Sequence, residues 1–190
     1  MKIGRYPISK RIFDLIVTLI GMVIALHVMA VVALLVRMKI GSPVLFKQQR
    51  PGLNEKIFTL YKFRTMIDRY DADGKPAADA DRLTPFGEKL RSTSLDELPE
   101  LFCVIKGDMS LIGPRAYIPW EKIKMSGHDE TILKVKPGIS GLWQVTDRNK
   151  SSFEERNLMD IYYIRNWSMF LDIYIVARTI AVVLTGRSGY

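Results

Sequence analysis

The longest uninterrupted pattern in the chain is an apolar one. Residues 15–36 contain no Lys, Arg, Asp or Glu, and about 20 apolar residues suffice for a helix to cross the hydrocarbon core of a bilayer. A secretory leader has an apolar region of only about 7–15 residues. A soluble helix that is apolar on every face needs more surrounding protein than a chain of 190 residues supplies. The pattern therefore predicts membrane insertion. Both flanks of the run are basic, with Lys2, Arg5, Lys10 and Arg11 before it and Arg37, Lys39, Lys47 and Arg50 after it. A straight crossing normally has unequal flanks, so the balance favours a helix that dips in and returns. His27, in the middle of the run, marks the candidate place for a bend, because a polar side chain is costly at that depth.

Beyond residue 40 the patterning changes. GSPVLFKQQRPG encloses a short apolar strand at 44–46, and KIFTLYKFRTM alternates Ile57, Thr59 and Tyr61 against Phe58, Leu60 and Lys62. That alternation is the signature of a second strand, so a hairpin turning at Pro51-Gly52 is expected. Residues 69–82 are polar and read as a surface loop. Helical patterns follow at 85–91, 95–105, 120–125 and 152–166, and KPGISGLWQ (136–144) reads as a glycine-rich loop leading into an extended piece. FLDIYIVARTIAVVL, from Phe170, is strongly apolar yet holds Asp172 and Arg178. It is short for a span and is expected to lie along the membrane interface or against the core. There is no internal repeat, no GxGxxG and no Walker pattern.

Composition narrows the partners. Lys and Arg outnumber Asp and Glu by 28 to 20, giving a net charge of +8, which favours an anionic membrane surface, a phosphorylated substrate or a nucleic acid. The basic residues are dispersed among acids, and no nucleic-acid-binding signature is present; no nucleic acid is expected as a partner. The one cysteine, Cys103, rules out an internal disulfide, and its apolar neighbours Leu101, Phe102 and Ile105 suggest a buried, inert thiol.

Candidate chemistry concentrates in SLDELPELFCVIKGDMSLIGPR, residues 94–115. The plain reading of Asp96 and Glu97 is a helix start: Ser94 and Glu97 match a capping box, and acids in a first turn offset the helix dipole. Leu95, Leu98, Leu101, Phe102 and Ile105 would form the apolar face of that helix. A helix start also offers free N–H groups to phosphate. Lys62, Arg64, Arg91 and Arg115 are candidate phosphate clamps, because guanidinium forks match pairs of phosphate oxygens. Carboxylates beside such cations suit phosphoryl chemistry, in which an acid attacks phosphorus or holds Mg²⁺.

This stretch resembles the signature of the monotopic phosphoglycosyl transferases, the bacterial sugar transferase family. RIFDL, GSPVLFKQQRPG, FTLYKFRTM, KPGISGLWQV, DIYYIRNWS and LDIYIVARTI are similar to further family motifs and occur in family order along nearly the whole chain. The resemblance implies an α+β, mainly helical fold. Residues 1–40 would be an N-terminal membrane-embedded, re-entrant helix. Residues 41–190 would be a catalytic domain with a small β-hairpin and amphipathic interfacial helices, on the cytoplasmic face of the bacterial inner membrane. It further implies transfer of a phosphosugar from a nucleotide diphosphosugar, typically a UDP-sugar, to undecaprenyl phosphate with Mg²⁺, as a first membrane step of glycoconjugate assembly.

Carried over by position, the family's acid dyad falls on Asp96 and Glu97. The resemblance implies that Asp96 attacks the β-phosphate, expels UMP and holds the phosphosugar covalently, and that Asp96 also contacts the metal. Glu97 would move protons or orient acceptor and metal, and Lys62, Arg64, Arg91 and Arg115 would bind phosphates. The chain departs from the family in two places. Leu26-His27 stands where a Ser-Pro usually breaks the membrane helix, and Ala116 replaces the second proline of Pro-Arg-Pro. The rival expectations are an inactive membrane-anchored scaffold of the same fold and a basic nucleic-acid-binding module carrying an anchor. Sugar identity and oligomeric state are encoded in no motif.

Overall fold

The computed structural model describes residues 6–118, 130–146 and 151–185; the helix expected at 120–125 lies outside them. Helix α1 (Ile8–Lys39) is followed by strands β1 (Leu45–Pro51) and β2 (Ile57–Phe63), then by short helices α2 (Asp79–Arg82) and α3 (Pro85–Ser92). A 3-10 turn (Leu95–Glu100) leads into α4 (Leu101–Lys106) and strand β3 (Ser110–Ile112). After β4 (Gly138–Ser140) come helices α5 (Leu142–Thr146), α6 (Phe153–Arg165) and α7 (Met169–Leu184). The architecture is α+β and mainly helical, with a long apolar helix leading it.

The expected hairpin forms. β1 and β2 pair antiparallel from Leu45↔Phe63 to Pro51↔Ile57, with Pro51 at the end of a strand, where its missing N–H is harmless. Helix α3 starts as its sequence dictates: the Thr84 hydroxyl accepts from the Gly87 N–H at 2.9 Å, and Pro85 occupies the first helical position. Gly87 is required by packing, because a β-carbon there would lie 1.9 Å from the Thr65 carbonyl oxygen. The same logic holds at Gly138, whose β-carbon would fall 2.1 Å from the Gly113 nitrogen; the parallel pair β3–β4 can close only without it. Helix α6 carries the full capping box, with the Glu155 N–H on the Ser152 hydroxyl and the Ser152 N–H on the Glu155 carboxylate.

Helix α1 organises the molecule. It runs unbroken through Leu26-His27, where the His27 ring nitrogen sits 2.8 Å from the Val23 carbonyl of its own helix. Its buried residues are Lys10, Asp14, Thr18, Met22, Ala25, Met29, Val32 and Val36, a single stripe at steps of four or three residues, as the 3.6-residue turn requires. The apolar part of the stripe packs with Phe63 and Leu90 and against Phe86, Leu98, Leu101 and Ile105. Each such side chain, fully buried, contributes about 1.5–3 kcal/mol.

The polar part of the stripe is tied into the far end of the chain. Lys10 Nζ lies 2.8 Å from Asp172 of α7, which also accepts from the Tyr163 hydroxyl (2.6 Å) and the Trp167 indole N–H (2.9 Å). Asp14 accepts from Ser110 at 2.8 Å and from the Tyr6 hydroxyl. Arg11 donates to the carbonyls of Val104 and Ile105, closing the C-terminal end of α4. The acid expected within an otherwise apolar final helix, Asp172, is thus a fully hydrogen-bonded buried carboxylate.

Outside this stripe α1 is also apolar. Lys10 is 1% exposed, whereas Ile8 is 80% and Ile12 and Ile16 about half exposed. A helix with its polar groups inward and its aliphatic groups outward is the reverse of a water-facing helix and matches an apolar solvent. It is the one helix among the described residues long and apolar enough to cross a membrane.

Candidate functional site

The segment carrying the acids begins with a reversal. Helix α3 ends at Ser92, and Ser94 adopts φ +56°, a left-handed conformation that costs a non-glycine residue of order 1 kcal/mol and clusters at functional sites. The capping box expected from Ser94 and Glu97 does not form: the Ser94 side chain makes no cap hydrogen bond. A residue that turns the chain back cannot also present the extended backbone of an N-cap.

The helix expected at 95–105 is split for a related reason. Pro99 has no N–H for a bond to the Leu95 carbonyl and disfavours helical geometry at Leu98, so residues 95–100 tighten into a 3-10 turn before α4 begins. In such a turn side chains three apart eclipse. Glu97 and Glu100 therefore stack on one side.

Lys62 meets that stacked pair. It continues the inward row of Phe58 and Leu60 on β2 and places its ammonium 2.6 Å from Glu97 and 3.3 Å from Glu100. Asp96, 5% exposed, lies beside the cluster. Burial and the neighbouring Glu97 charge push its carboxyl from 3.8 up to about 6, against the pull of Lys62 and Arg91. Burial raises Glu100 as well, although Lys62 opposes it. Burial alone would depress the Lys62 ammonium, but Glu100 and Glu97 outweigh it and hold the lysine protonated. Two positive charges, those of Lys62 and Arg91, thus act on the three neighbouring carboxyl groups.

The four basic positions expected from the sequence separate. Lys62 and Arg91 join the acids; Arg91 donates to the Thr65 hydroxyl at 3.1 Å, and its charge is felt at Asp96. Arg64 does not stand open as a clamp. Its guanidinium donates to Met66 and Ser42 carbonyls and pairs with Asp68 at 2.6 Å, holding the connection after β2. Arg115 sits by another acid: its N–H donates to Asp160, which also accepts from the Tyr117 hydroxyl. Burial pushes the Asp160 carboxyl up to about 7 despite these bonds and the Arg115 charge. The loop around Ala116 is pinned by Arg50, which donates to the Ala116 carbonyl at 2.6 Å, so a second proline is not what fixes it. Cys103 is buried against the Thr59 carbonyl, and burial pushes its thiol up to about 11.

Glu100 is the functional candidate that the sequence reading missed. Its signal was the spacing in LDELPE, three residues after Glu97 across a proline, which matters only once that proline tightens the turn. No three His, Cys, Asp or Glu side chains among the described residues form a ready metal cage. Mg²⁺, however, takes only one or two protein carboxylates and completes its shell with water and substrate phosphate. The oxygen-only Asp96–Glu97 pair fits that ion.

An apolar groove opens beside the dyad. It is lined by Ser94, Glu97, Leu98 and Leu101 on one side and by Ile139, Ser140, Gln144, Val145, Thr179, Val182 and Val183 on the other.

Comparison with known proteins places the chain in a family. Residues 5–186 match the bacterial sugar transferases. The chain is 45% identical over 184 residues to the uncharacterized sugar transferase EpsL of Bacillus subtilis, covering 95% of this chain and 89% of that protein. It is 36% identical to the undecaprenyl-phosphate galactose phosphotransferase of Salmonella typhimurium, over 95% of this chain and 41% of that protein. It is also 36% identical to the UDP-N-acetylgalactosamine-undecaprenyl-phosphate N-acetylgalactosaminephosphotransferase of Aeromonas hydrophila, over 95% of this chain and 45% of that protein. The chain thus spans less than half the length of these last two relatives.

Proposed function

The chain belongs to the bacterial sugar transferase family, and from that premise we propose that it transfers a sugar phosphate from a UDP-sugar to undecaprenyl phosphate in glycoconjugate assembly. The observation that carries the reading is the buried Asp96 held among Lys62, Arg91 and Glu97, in a chain similar to phosphotransferases named for undecaprenyl phosphate, one of them also for a UDP-sugar.

The exchange has two stages. An Asp96 carboxylate oxygen attacks the β-phosphorus of the donor, the bond from that phosphorus to the bridging oxygen breaks, and UMP leaves. A phosphate oxygen of the acceptor then attacks the same phosphorus and frees the Asp96 carboxylate. Two features of Asp96 suit this cycle. Its raised pKa keeps it a better nucleophile than an ordinary carboxylate while leaving it ionised at neutral pH. Its cationic neighbours Lys62 and Arg91 screen its approach to an anionic substrate. Glu97, bound by Lys62 and part of the groove lining, would orient the acceptor. Asp96 and Glu97 would hold Mg²⁺, which when bound neutralises diphosphate charge. Arg115 would bind donor phosphate from the loop held by Asp160.

Membrane association belongs to the same reading. Both ends of α1 rest on the catalytic domain, Lys10 on Asp172 and Val36 in the shared core, about 39 Å apart along the helix axis at 1.5 Å per residue. A transverse crossing would drag that domain through the bilayer. The arrangement supports a helix embedded in one leaflet with both ends on the cytoplasmic face, where UDP-sugars are made.

The decisive experiment incubates the protein in detergent with undecaprenyl phosphate, Mg²⁺ and a panel of UDP-sugars, and scores the released nucleotide. UMP release from one sugar, with a phosphosugar adduct on Asp96 detected by mass spectrometry in the absence of acceptor, is the expected result. Release of UDP would assign a different transfer, and no release from any sugar would favour a scaffold.

A further inference from the structure

The transfer reading leaves open how a water-insoluble acceptor delivers its phosphate to a buried aspartate. We propose that the groove between the 3-10 turn and α7 holds the first isoprene unit of the lipid acceptor and thereby sets its phosphate against Glu97; the proposal rests on the transfer reading given above.

Four observations carry it. The groove reaches the dyad directly, since Glu97 is part of its lining. Its remaining surface is largely aliphatic, from Leu98, Leu101, Ile139, Val145, Val182 and Val183. Its volume of about 170 Å³ is close to the roughly 150 Å³ of an apolar cavity that accepts benzene, enough for one five-carbon unit. It also adjoins the apolar outer face of α7, where Ile180 and Val183 are about half exposed, so a chain leaving the groove continues along a surface fit for lipid.

The polar atoms of the lining argue against a sugar as the occupant. Ser140 and Thr179 hydroxyls are 2.7 Å apart and bonded to each other, and Thr179 also reaches the Ile175 carbonyl. The Gln144 amide N–H₂ is used on the Ile139 carbonyl. Only the Gln144 carbonyl oxygen lacks a partner. A sugar ring brings several hydroxyls that must be matched on burial, whereas an isoprene unit brings none. The groove offers methyl groups, and the acceptor supplies a methyl-branched chain.

The test is photolabelling of the full chain in lipid nanodiscs with a farnesyl phosphate analogue carrying a diazirine on its first isoprene unit. Labelled peptides should map to 139–145 and 179–183, and excess undecaprenyl phosphate should remove the label while inorganic phosphate should not. Val182→Trp, which fills the groove from α7, should reduce labelling about tenfold and raise the acceptor KM by a similar factor, with the donor KM changed less than about twofold. Ile139→Trp fills it from β4 and should do the same. Label confined to the outer face of α1, or an unchanged acceptor KM in both folded variants, overturns the proposal. A raised donor KM with an unchanged acceptor KM would give the groove to the sugar and overturn it equally. Labelling requires no donor and no turnover. A wild-type protein that labels at the groove but releases no UMP would therefore fault the transfer reading and leave the lipid site standing; UMP release with label elsewhere would do the opposite.

Discussion

At the scale of single residues, Asp96 is held in a state that works against folding. Its native pKa of about 6 lies above the ordinary 3.8, so the folded protein binds more protons than the unfolded chain between those values. Stability accordingly falls as pH rises from about 4 to 6, and above that window the ionised carboxylate costs roughly 1–3 kcal/mol. Asp96→Asn should therefore abolish turnover and adduct formation yet raise the melting temperature at pH 7.5 by a few degrees, measured by differential scanning fluorimetry in detergent. A lowered melting temperature would mean that the carboxylate serves packing. The same titration predicts the acid limb of the rate profile. A nucleophile must be ionised, so kcat/KM should fall about tenfold per pH unit below about pH 6, and adduct formation that showed no such limb would remove Asp96 as the attacking group.

At the scale of elements, the site depends on how closely α3 approaches the segment that follows β2. Gly87 lets the Thr65 carbonyl into the helix surface at a distance that no β-carbon tolerates, and the same approach brings Arg91 to the Thr65 hydroxyl. Gly87→Ala should push α3 outward, destabilise the protein by about 2–3 kcal/mol and slow turnover more than tenfold, read as a lower melting temperature and rate together. A variant with normal activity would separate Arg91 from the site. This is also the scale at which sequence reading succeeded and failed for identifiable reasons. The hairpin at Pro51-Gly52 and the start of α6 at Ser152 were legible because turn and cap residues act locally. Asp96, Glu97 and Lys62 were legible as a set through their motifs. Glu100, and the use of Arg64 as a loop staple, were not, because each depends on a partner far along the chain or on the tightening of one turn by Pro99. Ser94 misled in the other direction: its spacing to Glu97 is that of a cap, but the chain reverses there.

At the scale of the whole molecule, the long helix is where sequence and structure differ most in kind. Charge counting on its flanks indicated that both ends share a face, and Leu26-His27 was the expected place for a bend. The structure instead lays an unbroken helix along the catalytic domain, a relation that hydropathy cannot display, because the burial of Lys10 and Asp14 needs residues 96 to 162 positions away. A cysteine at exposed Ser9, in a Cys103→Ser background, should resist a membrane-impermeant thiol reagent on intact cells and react once they are opened; labelling from outside would refute the cytoplasmic placement of the N-terminus. The Lys10–Asp172 pair also sets an order of events during synthesis. At about 5–20 residues per second, the ribosome delivers Asp172 some 8–30 s after Lys10, given their separation of 162 positions. Throughout that interval the Lys10 ammonium has Asp14, one helical turn away at 4.0 Å, as its carboxylate partner. Closure of the Lys10–Asp172 contact is therefore a late step, and chains stopped before α7 should be the ones the cell's proteases remove.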